Sequence, residues 1–181
     1  MFTEEYIRKH ADSLSWMEIS SIAPVEVLAN LAEDFIDDLN WFSMSYERNM
    51  PEAFIRRFAN HINWEYFSQN NNIVTFSDQF FVDFEKKLRW SSISRLPWSE
   101  SFMFKFHDKF HKSDWNTISF VIGNRENYSD YFFENFSHRL YWQTISLQKL
   151  SIEFIRKYRY NVQLNLLKSQ KHRSAAEVIE I

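Results

Sequence analysis

The sequence contains no cysteine and very little glycine or proline. Of 181 residues, 1 is glycine and 3 are proline. The absence of cysteine excludes disulfides, thiolate nucleophiles and cysteine-ligated zinc. The scarcity of glycine argues against tight primed hairpin turns and phosphate-cradling loops, which rely on glycine for positive φ. The composition therefore disfavours a disulfide scaffold and a hairpin-rich fold.

A strong charge imbalance and long apolar runs are missing as well. The net charge is −3, so the whole chain has no general attraction for nucleic acid. The longest apolar runs fall far short of a membrane span, and residues 1–5 are acidic and lack the apolar region of a signal peptide. We therefore expect a soluble protein of the cytoplasm, or of the host cell cytoplasm if the chain is viral, with no membrane partner.

Aromatic residues, in contrast, are abundant at 19%, and the tryptophans recur at regular intervals. Spacings of 23 to 27 residues separate Trp16, Trp41, Trp64, Trp90, Trp115 and Trp142. An apolar residue follows each of them after three positions and a serine after four. These serines are Ser20, Ser45, Ser68, Ser94, Ser119 and Ser146. Six matches of six indicate an internal repeat of about 25 residues.

A second pattern precedes each tryptophan. An aromatic residue or leucine is followed by apolar residues one, four and eight positions later, as in Phe54, Ile55, Phe58 and Ile62. At 100° per residue these positions share one face of an amphipathic helix. We expect the helix to end near the last of them, and the tryptophan to begin a short α or 3₁₀ turn. The alternative is a short strand at Trp-x-x-Ile-Ser, as in an α/β solenoid like that of leucine-rich repeats.

Helix starts are marked by capping residues. Five serines or threonines stand three positions before the first apolar residue of a repeat and are predicted N-caps. They are Thr3, Ser77, Ser99, Ser129 and Ser151. A second set of predicted caps precedes tryptophan: Ser15, Asn40, Asn63 and Asp114. The fifth repeat also carries a three-residue insertion around residues 111–114.

These patterns predict a mainly α solenoid of about seven repeats, each with one amphipathic helix and a short helical turn. One such repeat cannot bury its apolar face alone, so stacked neighbours would form a continuous core. We expect a single repeat domain over residues 1–181. The predicted repeats are 2–25, 26–49, 50–75, 76–97, 98–127, 128–149 and 150–170, with 171–181 as a C-terminal cap or tail.

The last two repeats carry a resemblance to a known family. Trp142, Ile145 and Ser146 are followed by Leu150-Ser151 and by the segment Glu-Phe-Ile-Arg-Lys-Tyr at 153–158. This sequence resembles the Trp-containing short-repeat proteins of bacteriophages and large DNA viruses, a family without an established activity. The resemblance covers essentially the whole chain, and it implies a viral accessory protein with a binding role. It implies no catalytic residue.

Three sets of residues are candidates for chemistry. The tryptophans could be platforms for stacked bases, but an apolar partner three positions later favours core residues. The serines favour hydrogen bonding to nearby backbone. His107 and His111 are spaced to clamp a metal from one helix face, yet they lie off the apolar stripe and favour solvated histidines. We therefore predict no catalytic residue, metal, cofactor or small-molecule substrate, and a protein that is not an enzyme.

The candidate partner-binding residues lie in the two regions where charge of one sign is concentrated. Asp34, Asp37 and Asp38 make the second repeat acidic, and Arg156, Lys157 and Arg159 make the C-terminal end basic. The resulting prediction is a non-enzymatic repeat protein that binds a host or viral protein, in sharper form a viral accessory protein that inhibits a host defence protein. The alternative is a nucleic-acid-binding repeat protein that uses the basic C-terminal repeats.

Overall fold

The computed structural model describes residues 3–123 and 128–168, and within these ranges every regular element is helical. The prediction of a mainly α protein is confirmed. The alternative with strands at Trp-x-x-Ile-Ser is wrong, because all six of these segments are α-helical. A serine that hydrogen-bonds four residues back in five of the segments and a side-chain cap before three of the tryptophans explain that outcome. The predicted tail at 171–181 lies outside the described residues.

The chain divides into two compact units, residues 1–89 and 90–181. Two 3₁₀ segments in the described part of the first unit, Ala11–Ser13 and Asn71–Thr75, accompany its α-helices. These helices are α1 (Glu4–Lys9), α2 (Trp16–Ile22), α3 (Val25–Leu31), α4 (Trp41–Glu47), α5 (Glu52–Arg57), α6 (Trp64–Phe67) and α7 (Asp78–Asp83).

The described part of the second unit has the same alternation of elements, with one 3₁₀ segment at His107–Lys109. Its helices are α8 (Trp90–Ile93), α9 (Glu100–Phe106), α10 (Asp114–Gly123), α11 (Asp130–Phe136), α12 (Trp142–Ser146), α13 (Ile152–Lys157) and α14 (Leu164–Lys168). The boundary between the units falls inside the predicted fourth repeat, and a single repeat domain stays a prediction.

Five of the odd-numbered helices begin where the capping pattern predicts, whereas α3 and α5 follow Pro24 and Pro51, which make no side-chain cap. The side chains of Thr3, Ser77, Ser99, Ser129 and Ser151 each accept the backbone N–H three residues later. Among the even-numbered helices, Ser15, Asn40 and Asn63 cap in the same way. These bonds satisfy N–H groups that a helix leaves without an internal partner, so each cap fixes its start locally.

Asp114 is the exception among the predicted caps. It is the first residue of α10 rather than the residue before it. Its carboxylate accepts the backbone N–H of His111 at 2.9 Å, and its own N–H donates to the His111 carbonyl at 3.0 Å. The three-residue insertion thus forms a closed turn, which moves the helix start.

The helices end earlier than the apolar pattern predicts. Helix α5 stops at Arg57, and the chain then turns, with the His61 N–H donating to the Phe58 carbonyl at 2.9 Å. The prediction of a helix reaching Ile62 was wrong. The turn leaves the Ala59 carbonyl outside the helix, and the indole Nε1 of Trp64 donates to it at 2.9 Å.

The serines after tryptophan are buried and bridge consecutive repeats. Ser45 Oγ donates to the Trp41 carbonyl at 2.6 Å and accepts the Asn63 N–H, from the next repeat, at 3.0 Å. Ser20, Ser68, Ser119 and Ser146 make the same two kinds of bond. Ser94 differs, because its hydroxyl donates to the Ser91 carbonyl at 2.8 Å. The structural interpretation of the serines is supported.

The tryptophan rings pack against the aromatic residue of the following repeat. Trp41 and Phe58 have ring centroids 5.4 Å apart. The same kind of pair joins Trp16 to Phe35, Trp64 to Phe84, Trp90 to Phe106, Trp115 to Phe136 and Trp142 to Tyr158. These pairs lie within 4.7–5.8 Å, a range in which aromatic contacts stabilise a fold. They support the interpretation of these tryptophans as packing residues.

Candidate functional site

The acidic residues of the second repeat are partly used inside the first compact unit. Asp34 Oδ2 lies 2.5 Å from a guanidinium nitrogen of Arg8 in the preceding repeat. Asp37 and Asp38 are exposed. Asp34 therefore ties one repeat to another, and a role for all three aspartates in binding a partner stays a prediction.

The basic residues near the C-terminus are used in a similar way. Lys157 pairs with Asp130 of the preceding repeat. Arg156 is exposed, and the Arg159 guanidinium lies 5.5 Å from the ring centre of its neighbour Tyr160. Because the charge of Lys157 is balanced locally, less positive charge remains to attract phosphates. Contact with a partner through these residues stays a prediction.

A glutamate in the first turn of a helix accepts hydrogen bonds from the serine that caps a helix of the next repeat. Glu52 accepts the backbone N–H of Ser77 at 2.7 Å and its hydroxyl at 2.8 Å. Glu100 makes the same pair of bonds to Ser129, at 2.8 and 2.6 Å. Burial alone would raise the pKa of Glu52, but the bonds from Ser77 and from Arg56 outweigh it and hold that pKa below its ordinary value.

Replacement of Glu52 by glutamine should lower stability at neutral pH by about 1 kcal/mol, because the bonds to Ser77 and Arg56 lose their charge. A carboxyl group whose pKa is lower in the folded than in the unfolded chain stabilises the fold at pH values above its unfolded pKa, near 4.3. This stabilisation is lost as the pH falls through the pKa of the folded chain. The difference between Glu52→Gln and the parent should therefore shrink below about pH 4. Denaturant unfolding from pH 7 to pH 3 measures it. Asp37→Asn, the same change from acid to amide at an exposed residue, is the control, and a similar trend in both variants would contradict this role of Glu52.

Exposed aromatic side chains form the most distinctive surface of the first compact unit. Met17, Phe42 and Tyr46 are 67%, 51% and 49% exposed. They lie on α2 and α4, which pack beside each other, and Tyr66 lies on α6, which packs beside α4. We call these four residues the Phe42 patch.

Three aromatic rings of the Phe42 patch, on α4 and α6, are in contact. The Tyr66 ring lies 4.5 Å from that of Phe42 and 5.8 Å from that of Tyr46, centre to centre, with the rings edge to face. At its margin Glu65 pairs with Arg89. An apolar aromatic centre beside charged groups is the usual composition of a protein-binding surface.

The second compact unit also has exposed apolar residues on, or directly after, helices that contain a repeat tryptophan. Phe120 on α10 is 54% exposed, and Leu147, directly after α12, is 58% exposed. Met17 and Phe42 come one residue after tryptophan, while Tyr46, Phe120 and Leu147 come five after it. Residues one and five positions after tryptophan lie on the same helix face, so this exposed face could have been predicted from the sequence. Sequence reasoning missed it because the residue type varies between repeats.

The two histidines of the fifth repeat lie in different surroundings. His107 is half-buried, and its ring centre lies 5.3 Å from that of Phe136. His111 is exposed, beyond the 3₁₀ segment. Within residues 3–123 and 128–168 no group of three or more histidine, aspartate or glutamate side chains is placed to hold a metal ion.

None of the helices in the described ranges is long and apolar enough to cross a membrane. Comparison of the chain with known protein families, curated proteins and solved structures gives no match. The fold and surface thus define a mainly α protein with exposed aromatic residues on helices that begin at tryptophan.

Proposed function

We propose that this chain is a non-enzymatic repeat protein that binds a protein partner through the Phe42 patch. The observation that carries the proposal is the exposure of Met17, Phe42 and Tyr46 on neighbouring helices, with Tyr66 packed against the two aromatic rings. Large contiguous apolar patches are uncommon on monomer surfaces and mark sites of interaction.

The contrast between the two sides of α4 supports this function. Trp41 packs against Phe58 and Ser45 accepts the Asn63 N–H of the next repeat, and Met44 and Ser45 are buried. Phe42 and Tyr46, on the other side, have exposed side chains, and their rings contact that of Tyr66. Aromatic residues are enriched among the anchors of protein interfaces, because they bury a large area at a small entropic cost.

The recurring serine bridges and tryptophan contacts support a solenoid of stacked repeats within each compact unit. In such a protein the inward contacts are shared and the outward residues vary, so the surface can be adapted to one partner. From the resemblance of the sequence to viral repeat proteins, we extend the proposal to a host protein as the target, in particular a defence protein that is inhibited on binding.

Affinity capture with the tagged chain from lysate of the cell that expresses or hosts it, followed by mass spectrometry, tests this proposal. A protein recovered in stoichiometric amount is then purified and titrated against the parent and against Phe42→Ala/Tyr46→Ala. Loss of two anchors should weaken binding by roughly thirtyfold or more, because truncating a central aromatic costs at least about 2 kcal/mol.

Tyr160→Ala provides the matched control, because Tyr160 is 93% exposed and lies outside the Phe42 patch. Its affinity for the partner should equal that of the parent. An unchanged affinity of Phe42→Ala/Tyr46→Ala would contradict the proposal.

A parallel capture after nuclease treatment tests the alternative function, since recovery lost with nuclease would point to nucleic acid and the basic C-terminal end. Charge reversal of Asp34, Asp37 and Asp38 tests the acidic zone in the same titration.

A further inference from the structure

Trp115 lacks a hydrogen bond that three of the other repeat tryptophans share. In three repeats the indole Nε1 donates to the carbonyl five residues earlier: Trp41 to Ile36, Trp64 to Ala59 and Trp142 to Ser137. The insertion in the fifth repeat moves the equivalent carbonyl, that of His107, to eight residues before Trp115. Arg139 of the next repeat donates to that carbonyl at 3.1 Å.

The indole of Trp115 is therefore a buried donor without an acceptor. Trp115 is 2% exposed, and its Nε1 has no hydrogen-bond partner among the residues that the structure describes. A buried N–H without an acceptor costs free energy, and proteins tolerate few such groups without a reason. The other tryptophans with a bonded Nε1 show that the repeat itself can supply an acceptor.

Trp115 also lines an open cleft of about 760 Å³ beside the insertion. Phe110 and Leu140 are buried in its wall. This volume lies within the range of small-molecule sites, which combine an apolar wall with a few polar groups. All of the lining residues belong to the second compact unit.

The polar groups of this cleft are mainly donors. Lys112, His111 and His138 are exposed at its margin, and Arg139 is half-buried with its guanidinium carbon 5.4 Å from the Trp115 ring centre. The one carboxylate of the lining, Asp108, lies 3.5 Å from the Lys109 ammonium. Two permanent cations beside a partly neutralised acid favour an anionic ligand.

We propose that this cleft binds a nucleoside monophosphate group, free or as the 5′ end of a nucleic-acid strand. The phosphate pairs with Arg139 and Lys112, and the planar base lies against the wall of Phe110 and Leu140. Phosphate fits the charges better than a carboxylate does, because its higher charge and additional oxygen acceptors can engage both cations at once.

Trp115 takes part through its unpartnered N–H. That nitrogen is shielded from solvent, and the Arg139 guanidinium covers one face of the ring. As Arg139 turns toward the phosphate, it leaves the His107 carbonyl and opens a route to the indole. An oxygen or nitrogen acceptor of the ligand then receives the Nε1 proton, and the buried donor gains the partner that the insertion removed.

Calorimetric titration of the full chain with AMP, adenosine and inorganic phosphate tests the assignment. AMP should bind more tightly than either fragment, because it alone offers both the anion and the base. Trp115→Phe should weaken AMP binding by roughly tenfold, since it removes one buried donor and keeps most of the ring. Lys112→Gln should weaken it by about threefold to tenfold, and more in low salt than in high salt. Lys149→Gln, the same change at an exposed lysine of the second unit that lies outside the cleft, should leave it unchanged.

The indole N–H signals in a ¹H–¹⁵N spectrum provide a readout that stability changes do not imitate. The signal missing from Trp115→Phe identifies Trp115 among the 7 tryptophans, and it should move downfield on addition of AMP. Trp142→Phe is the matched variant, because the Trp142 N–H already donates to the Ser137 carbonyl at 3.0 Å. That variant should bind AMP like the parent.

Three results would overturn the proposal: no binding of AMP at millimolar concentration, equal affinity for AMP and inorganic phosphate, or AMP binding unaffected by both Trp115→Phe and Lys112→Gln. A 5′-phosphorylated oligonucleotide that binds more tightly than AMP, with the same dependence on Trp115, would identify the strand end as the source of the group. The outcome does not depend on the Phe42 patch, which lies in the other compact unit.

Discussion

Replacement of Phe80 by alanine should lower the free energy of unfolding of the first compact unit by roughly 3–5 kcal/mol. Phe80 is fully buried in α7, and its ring contacts the rings of Phe76 and Phe84 at 4.8 Å and that of Phe67 at 6.1 Å. The Arg56 guanidinium also lies 5.4 Å from its ring centre. A cavity among so many rings cannot close without moving several of them, so the loss exceeds that of the transferred surface alone.

Denaturant unfolding followed by circular dichroism measures this change. Phe42→Ala supplies the control, because it removes the same side chain at a position that is 51% exposed. That variant should lose less than about 1 kcal/mol, as surface substitutions usually do. Equal losses for Phe80→Ala and Phe42→Ala would contradict both the core position of Phe80 and the assignment of Phe42 to a binding surface.

Replacement of Ser146 by alanine should cost about 1–3 kcal/mol, the penalty for leaving buried polar groups unsatisfied. Ser146 is fully buried, donates to the Trp142 carbonyl at 2.6 Å and accepts the Gln163 N–H at 2.8 Å. Without the hydroxyl, the Gln163 N–H loses its acceptor in the preceding repeat. Hydrogen exchange at Gln163 should therefore accelerate more than exchange at other helical amides of the second unit.

Ser94→Ala is the matched variant for this experiment, because the same substitution falls in the same compact unit. The Ser94 hydroxyl donates only three residues back, to the Ser91 carbonyl. A local bond of this kind contributes little to the helix that carries it, so the loss should be smaller than for Ser146→Ala. Unchanged exchange at Gln163 in Ser146→Ala would show that the serine does not bridge the repeats.

The helix starts were open to prediction from the sequence because capping is local. Ser77, for example, needs only the N–H of Phe80 three residues ahead, and the pattern of residues displays that spacing directly. The helix ends could not be predicted in this way. The apolar pattern continues to Ile62, but the backbone leaves the helix after Arg57, and the Ala59 carbonyl accepts the indole of Trp64 across the turn. A side chain that closes a turn from outside the helix leaves no periodic signal.

The charged residues show a different limit of sequence reasoning. Arg8 and Asp34 are 26 residues apart, about one repeat, and their pairing could have been found by comparing positions one repeat apart. The grouping of Asp34 with Asp37 and Asp38 by sign alone overlooked that partner. The cleft at the insertion was harder still to predict from the sequence. Whether the Trp115 N–H has an acceptor depends on which carbonyl Arg139 contacts, and no sequence pattern shows that contact.

The serine bridges also bear on how a chain of this kind changes its length. Ser119 accepts the N–H of Tyr141, and Ser146 accepts that of Gln163, so successive junctions present the same acceptor to the same kind of donor. Loss of one complete repeat would join a serine to a segment built like its original partner. A deletion of half a repeat would leave a buried hydroxyl opposite a segment without the matching N–H. We therefore expect the deletion of a complete predicted repeat to preserve these bonds better than the deletion of half a repeat.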